Sequence, residues 1–313
     1  PQNAIEALQN AWGERESDDN SEWILNRKAF IGPLALAIID HMQHNFAAVD
    51  PLILAQNMKT AVGERHLQIY LRDAHAQTIL DQINWDGRLE NPNAQDFLAV
   101  VDTNMGFTKA NLNIERALDY QVMLHEDGTG EAQLQISYTH TSQAAATECP
   151  SYEFKDYEAD TQYLDLTETC YWNYLRIYVP ADSQLLSATE QHIPGESMRS
   201  GEPINTTAHT FTEKVGFTTF ANFLLVPTGQ QVSSEYHYLL PNVTISAEND
   251  STRYQLMLRK QAGVHPESTS ISITLPADAK LLDSEPQPST IDKNTISFDI
   301  MLDTDKIITL IYD

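Results

Sequence analysis

The chain reads as an α+β multidomain protein, with a mainly helical or α/β N-terminal part followed by antiparallel β-sandwich structure. Three observations predict this. Apolar residues recur at helical spacing over roughly the first 85 residues, as in Leu54, Met58 and Val62. At Asp96 the period changes, and Phe97-Leu-Ala-Val-Val101 is an unbroken apolar run of the kind that forms a buried strand. Beyond it, short aromatic and β-branched runs alternate with Pro, Gly and Asn turns.

In chain order, Ile5, Leu8 and Trp12 mark a first helix that ends in the acidic break Glu14 to Asn20. A second starts near Ser21-Glu22-Trp23 and continues through Phe30, Leu34, Ile38 and Met42. Pro51 suits the first turn of a third. His66 to Leu71 looks like a strand, and Asp73 caps a further helix through Gln77 and Leu80. Leu118 to His125 and Ala132 to Thr141 form a hairpin across Asp127-Gly128, a strong turn signal. Strands at 171–179, 207–214, 217–226 and 231–240 complete one module, and 252–261, 270–275, 295–300 and 306–312 make a second. The expected layout is a helical or α/β domain over 1–114, a β-sandwich over 115–246 and a smaller one over 247–313. Both sandwiches are expected to be immunoglobulin-like modules.

A chain of 313 residues is long enough for several domains. Its net charge of −25 repels nucleic-acid phosphates and anionic lipid heads, and suits cations or a cationic partner. No run of 18 apolar residues occurs, so no membrane span is expected. The chain opens in Pro-Gln-Asn-Ala without a methionine and is read as a fragment of a longer protein. Cys149 and Cys170 are its two cysteines and bracket an irregular segment. A disulfide there would contribute roughly 3 kcal/mol. Two free cytosolic thiols are the alternative that spacing leaves open.

Asp102-Thr-Asn104-Met-Gly106 sets carboxylate, amide and glycine at alternating positions, as a calcium loop does. An EF-hand would then need a glutamate where Leu112 stands. The motif therefore survives as an irregular oxygen-ligand site for calcium, or more plainly as an Asx turn. With Lys109 and Asn111 it forms a candidate polar binding loop. No Gly-x-Ser-x-Gly elbow occurs, and no catalytic set stands out. Trp172, Tyr174 and Tyr178 share one face of a strand and Tyr171 the other, which reads as a buried central strand rather than a sugar platform.

Several blocks carry a family likeness: His66-Leu-Gln-Ile-Tyr-Leu-Arg-Asp73 with Trp85-Asp-Gly87, and Phe97 to Asn104 with Lys109-Ala-Asn111. Asn173 to Pro180 with Leu185-Leu-Ser-Ala188, and Tyr254 to Gln261, complete the set. Together they resemble the domain of unknown function 4012 family of bacterial envelope proteins. The resemblance implies an extracytoplasmic body anchored through an upstream membrane segment, without an assigned activity. Partners would be an envelope protein or a glycopolymer. A second likeness rests on Arg27-Lys28, the helical stretch to Met42 and 51–62. It is similar in layout to the end of LytR-CpsA-Psr phosphotransferase domains, which move glycopolymers from polyprenyl phosphate carriers. That likeness implies anion binding by Arg27 and Lys28, because guanidinium groups grip phosphate oxygens bidentately, with the active site largely upstream.

The expected function is therefore that of an extracytoplasmic structural or binding module, with envelope phosphotransferase as the alternative.

Overall fold

Strict alternation along Ile114–Leu124 and Gly130–His140 gives two strands, β2 and β3, each with a dry and a wet face. Leu118, Tyr120, Val122 and Leu124 enter the core, while Asp119, Gln121 and Met123 face outward. The turn between them uses Gly128 at φ 85°, a left-handed conformation that glycine adopts without strain. Asp127 Oδ1 accepts from the Thr129 N–H at 3.0 Å and closes the turn.

The structure, a computed structural model, describes residues 28–45, 50–89, 95–143, 149 and 165–313. Strands are numbered in chain order. One sheet runs β14 (Leu281–Glu285), β17 (Lys306–Tyr312), β12 (Thr252–Arg259), β1 (Asp96–Asn104), β4 (Tyr171–Pro180), β9 (Phe217–Val226) and β8 (His209–Phe211). A short β11 (Thr244–Ser246) also pairs with β12. The other runs β15 (Thr290–Asp292), β16 (Thr295–Leu302), β13 (Glu267–Thr274), β2, β3, β10 (Gln231–Leu240) and β5 (Gln184–Ala188). β6 (Gln191–Ile193) and β7 (Ile204–Thr206) form a separate pair. The two large sheets share one core: Val100, Ile177, Leu224, Leu256 and Leu310 from the first meet Tyr120, Ile136, Tyr236, Ile271 and Phe298 from the second. Each fully buried side chain of this size contributes about 1.5–3 kcal/mol.

This corrects the expected fold class. The expected pair of antiparallel immunoglobulin-like sandwiches does not form, because strands from both halves of the β region join the same two sheets. β1 pairs in parallel with β12 (Asp96↔Leu256), and β2 in parallel with β13 (Ala117↔Ser268), making both sheets mixed. Splitting this body at residue 247 would expose the apolar flanks of β12 and β13 to water.

Nor does the N-terminal part stand as a separate helical body. It contributes α1 (Ile31–His44), α2 (Pro51–Gly63) and α3 (Ala74–Gln82) to the described residues. Asp50 caps α2 by accepting from the Leu52 N–H at 2.8 Å, and Asp73 caps α3 through the Ala76 N–H at 2.8 Å. His66 to Leu71 is irregular instead of a strand, with Leu67, Tyr70 and Leu71 exposed. The backbone bond from the Ile69 N–H to Trp85 O, at 3.1 Å, does not extend into a ladder. The segment is tied to the β body by Asp305, which receives Arg65 Nε at 2.9 Å and Arg259 at 3.0 Å. Burial would raise the Asp305 pKa, but these guanidinium groups hold it below the usual carboxylate value. No helix among the described residues is long and apolar enough to cross a membrane.

Asp96 opens β1 with no exposed surface. Its Oδ2 accepts from Tyr254 at 2.6 Å and from Tyr120 at 2.9 Å, so one carboxyl links the two sheets. Burial pushes its pKa up to about 6, against hydrogen bonds that favour the charged form. The folded state therefore keeps this proton to a higher pH than the unfolded chain. Its contribution to stability is present below about pH 4 and falls as pH rises to about 6. Asp96→Asn removes the titration, so urea unfolding of variant and parent should diverge by about 3 kcal/mol in the variant's favour between pH 4 and pH 7. A pH-independent difference would assign the titration elsewhere.

Candidate functional site at the strand crossovers

β1 leaves the first sheet for β2 in the second, and β12 leaves the first for β13 in the second. Because each pair is parallel, both connections cross at the same end of the body. Their crossover segments, 105–113 and 260–266, border a cleft of about 810 Å³. Asp102, Asn104, Asn111, Arg116, Gln261 and Glu267 are among its lining groups.

Arg116 holds the floor. It sits at an inward position of β2, between Ile114 and Leu118, and its side chain is 5% exposed. Nη1 donates to Asp102 Oδ2 at 2.5 Å, while Nε and Nη2 donate to the two oxygens of Glu267 at 2.8 and 2.7 Å. Burial alone would lower its pKa, yet Asp102 and Glu267 push it well above the ordinary arginine value. Asp102 Oδ1 accepts from Tyr138 and from Asn173 Nδ2, both at 2.7 Å. Gln261 clasps the Asp102 backbone: its Oε1 accepts from the N–H and its Nε2 donates to the carbonyl, both at 2.9 Å.

Asn104 shapes the rim. Its Oδ1 accepts from the Gly106 N–H at 3.0 Å, and its Nδ2 donates to Thr108 O at 3.2 Å and Asn111 Oδ1 at 3.3 Å. The Asx turn expected here thus belongs to Asn104, while Asp102 is engaged by groups distant in sequence. A calcium ion would have to displace Arg116, Tyr138 and Asn173 from Asp102 to use its oxygens. Gly106 allows a close approach, since a Cβ there would stand 3.1 Å from Trp172 Cδ1. Phe107 follows at φ 55°, unusual for a bulky residue, and is 63% exposed.

Of the sequence-derived candidates, Asp102, Asn104 and Asn111 come together at the cleft. Lys109 stands outside its lining, with its N–H bonded to Leu166 O at 2.9 Å. Arg27 lies outside the described residues, and Lys28 is exposed. Cys149 and Cys170 are joined by a disulfide that packs with Trp172, Ile193 and Leu225 on the outer face of the first sheet. Among the described residues no group of three or more His, Cys, Asp or Glu could hold a metal. Sequence reasoning missed Arg116, Glu267, Gln261, Tyr138 and Asn173. The signal that could have found Arg116 is a charge at an inward position of an otherwise apolar alternation.

Arg116→Met leaves two buried carboxylates without their cation and should cost about 3–5 kcal/mol in urea unfolding. Adding Asp102→Asn and Glu267→Gln to that variant should recover part of the loss. A loss below about 1 kcal/mol for the single change would mean that the cluster is solvated.

No protein-family model matches the chain, and no curated protein matches it. Among solved structures it is similar to a Legionella pneumophila protein described as nutrient-binding, at 8% identity and a TM-score of 0.40. That match covers 68% of this chain and 72% of the other. It is also similar to an M1 zinc metallopeptidase from Deinococcus radiodurans, at 10% identity and a TM-score of 0.31 over 63% of this chain. The chain spans 42% of that peptidase's length. Likenesses this distant carry no statement about family, ligand or activity.

Proposed function

We propose that this chain is a non-catalytic binding module of an extracytoplasmic envelope protein, and that the crossover cleft is its contact site for a partner envelope protein. The observation that carries the reading is the Cys149–Cys170 disulfide, since such bonds persist in oxidising compartments and are rare in the cytosol. The cleft adds the binding role. Asn111, Gln231 and Thr139 line it with amide and hydroxyl groups that both donate and accept. Exposed Glu115 at the same cleft and the net charge of −25 favour a basic polypeptide segment. Arg116, Asp102 and Glu267 neutralise one another beneath it, an arrangement suited to fixing the cleft's shape.

On intact cells that naturally express the protein, a membrane-impermeant biotin reagent should label it, and Cys149 and Cys170 should resist alkylation until reduced. Labelling only after lysis, or free thiols in unreduced protein, would overturn the location. Replacing both cysteines by alanine should lower stability by roughly 3 kcal/mol, because the linked residues are 21 apart.

A further inference from the structure

Lys260 follows the last residue of β12 and opens the crossover to β13, with 2% of its surface exposed. An ammonium carries three donors, and each needs a partner where water is excluded. Here all three go to backbone carbonyls: Glu64 O at 3.1 Å, Val264 O at 2.8 Å and Gln261 O at 3.3 Å. Two of these acceptors belong to the crossover segment that walls the cleft. Gly263 turns that wall at φ 75°, which brings both carbonyls onto the one ammonium. The third acceptor belongs to the residue that ends α2. A single buried charge thus joins the helical segment to the cleft wall.

The end of α2 is shaped for this contact. Arg65 takes φ 61°, a left-handed turn that stops the helix, and the His66 N–H closes it onto Ala61 O at 2.8 Å. The last carbonyls of a helix lack intrahelical donors and form the negative end of its dipole, so a cation is favoured there. The remaining docking contacts are polar. Arg65 reaches Asp305, Asn84 Nδ2 donates to Asp305 at 3.3 Å, and Arg259 donates to Asn84 Oδ1 at 3.1 Å and to Arg88 O. α2 and α3 bury one apolar residue each, Val62 and Leu80. A segment held by so few buried apolar contacts opens before the β core does.

We propose that Lys260 couples the docking of the helical segment to the shape of the cleft. When the end of α2 lifts away, Nζ exchanges Glu64 O for water. The Gln261 and Val264 carbonyls then lose their dry, fixed donor. The wall loosens, and with it the clasp of Gln261 on Asp102. The coupling is reciprocal, so whatever fixes the wall favours the docked segment by the same factor. Its consequence for partner binding rests on the reading of the cleft given above, whereas the coupling itself does not.

Amide exchange followed by NMR on the whole chain tests this without a ligand. The Asp102 N–H, whose acceptor is Gln261 Oε1, reports the wall. The Glu64 and His66 N–H groups, bonded to Thr60 O and Ala61 O, report the end of α2. Arg65→Gln weakens docking from the helical side and should speed exchange at both places by about fivefold or more. The Tyr120 and Ile136 amides, inside the second sheet, should keep their rates. In a Lys260→Met background Asp102 should already exchange fast, and Arg65→Gln should add nothing there. Lys260→Gln serves where Lys260→Met does not fold. Acceleration confined to the end of α2 would overturn the coupling. Acceleration at Asp102 that persists in the Lys260 variants would overturn it too. The signal would then travel through Asp305, which accepts the Lys260 N–H at 3.0 Å. Neither outcome bears on the cleft as a binding site, since no partner takes part.

Discussion

Arg116 sets the register of the whole β body. A buried guanidinium is tolerated only when carboxylates and further hydrogen bonds replace its water, and here these come from β1, from β13 and from the connection before β13. Asp102 belongs to the first sheet, while Arg116 and Glu267 belong to the second, so the cluster clamps the sheets together where both connections cross. A slip of β2 by one residue would turn Arg116 to the outside and leave both carboxylates without a cation. The cleft above keeps its shape because Gln261, Tyr138 and Asn173 complete the remaining hydrogen bonds.

β1 carries a buried carboxyl at each end, and their surroundings give them opposite roles. Asp102 faces a cation and serves as a fixed counter-charge. Asp96 faces the hydroxyls of Tyr120 and Tyr254, which satisfy hydrogen bonds without compensating charge, so burial favours its neutral form. A third carboxylate, Asp305, joins Arg65 to Arg259 and docks the helical segment on the end of β12. The interior is thus apolar between polar clamps, each bridging elements far apart in sequence.

This rigidity is what fixes the shape of the crossover cleft. Loops and sheet faces bind well when the scaffold fixes their side chains beforehand. Asn104 holds the crossover rim by three hydrogen bonds, and Gln261 fixes the backbone of Asp102 beneath it. The disulfide is itself largely buried, packed with Trp172, Ile193 and Leu225 on the outer face of the first sheet.

The sequence by itself determined the local elements. The helix start at Pro51, the cap at Asp73, the hairpin at Asp127-Gly128 and the strands at 217–226, 231–240 and 306–312 all follow from short-range patterns, because capping, turn chemistry and alternation act within a few residues. It also separated Tyr171 from Trp172 and Tyr178 by period two, and the structure places Tyr171 in the shared core and the others outside it. Which strands become neighbours was decided only by tertiary structure. Alternation states which face of a strand is dry, and any dry face can satisfy any other. The parallel pairings of β1 with β12 and β2 with β13 join segments far apart in the chain, and no local signal distinguishes them from two separate sandwiches. For the same reason Asp102 was legible as a polar residue at a strand end, whereas its partners Arg116, Tyr138 and Asn173 were not. Only packing one sheet on the other brings a charge on β2 within 2.5 Å of a charge on β1.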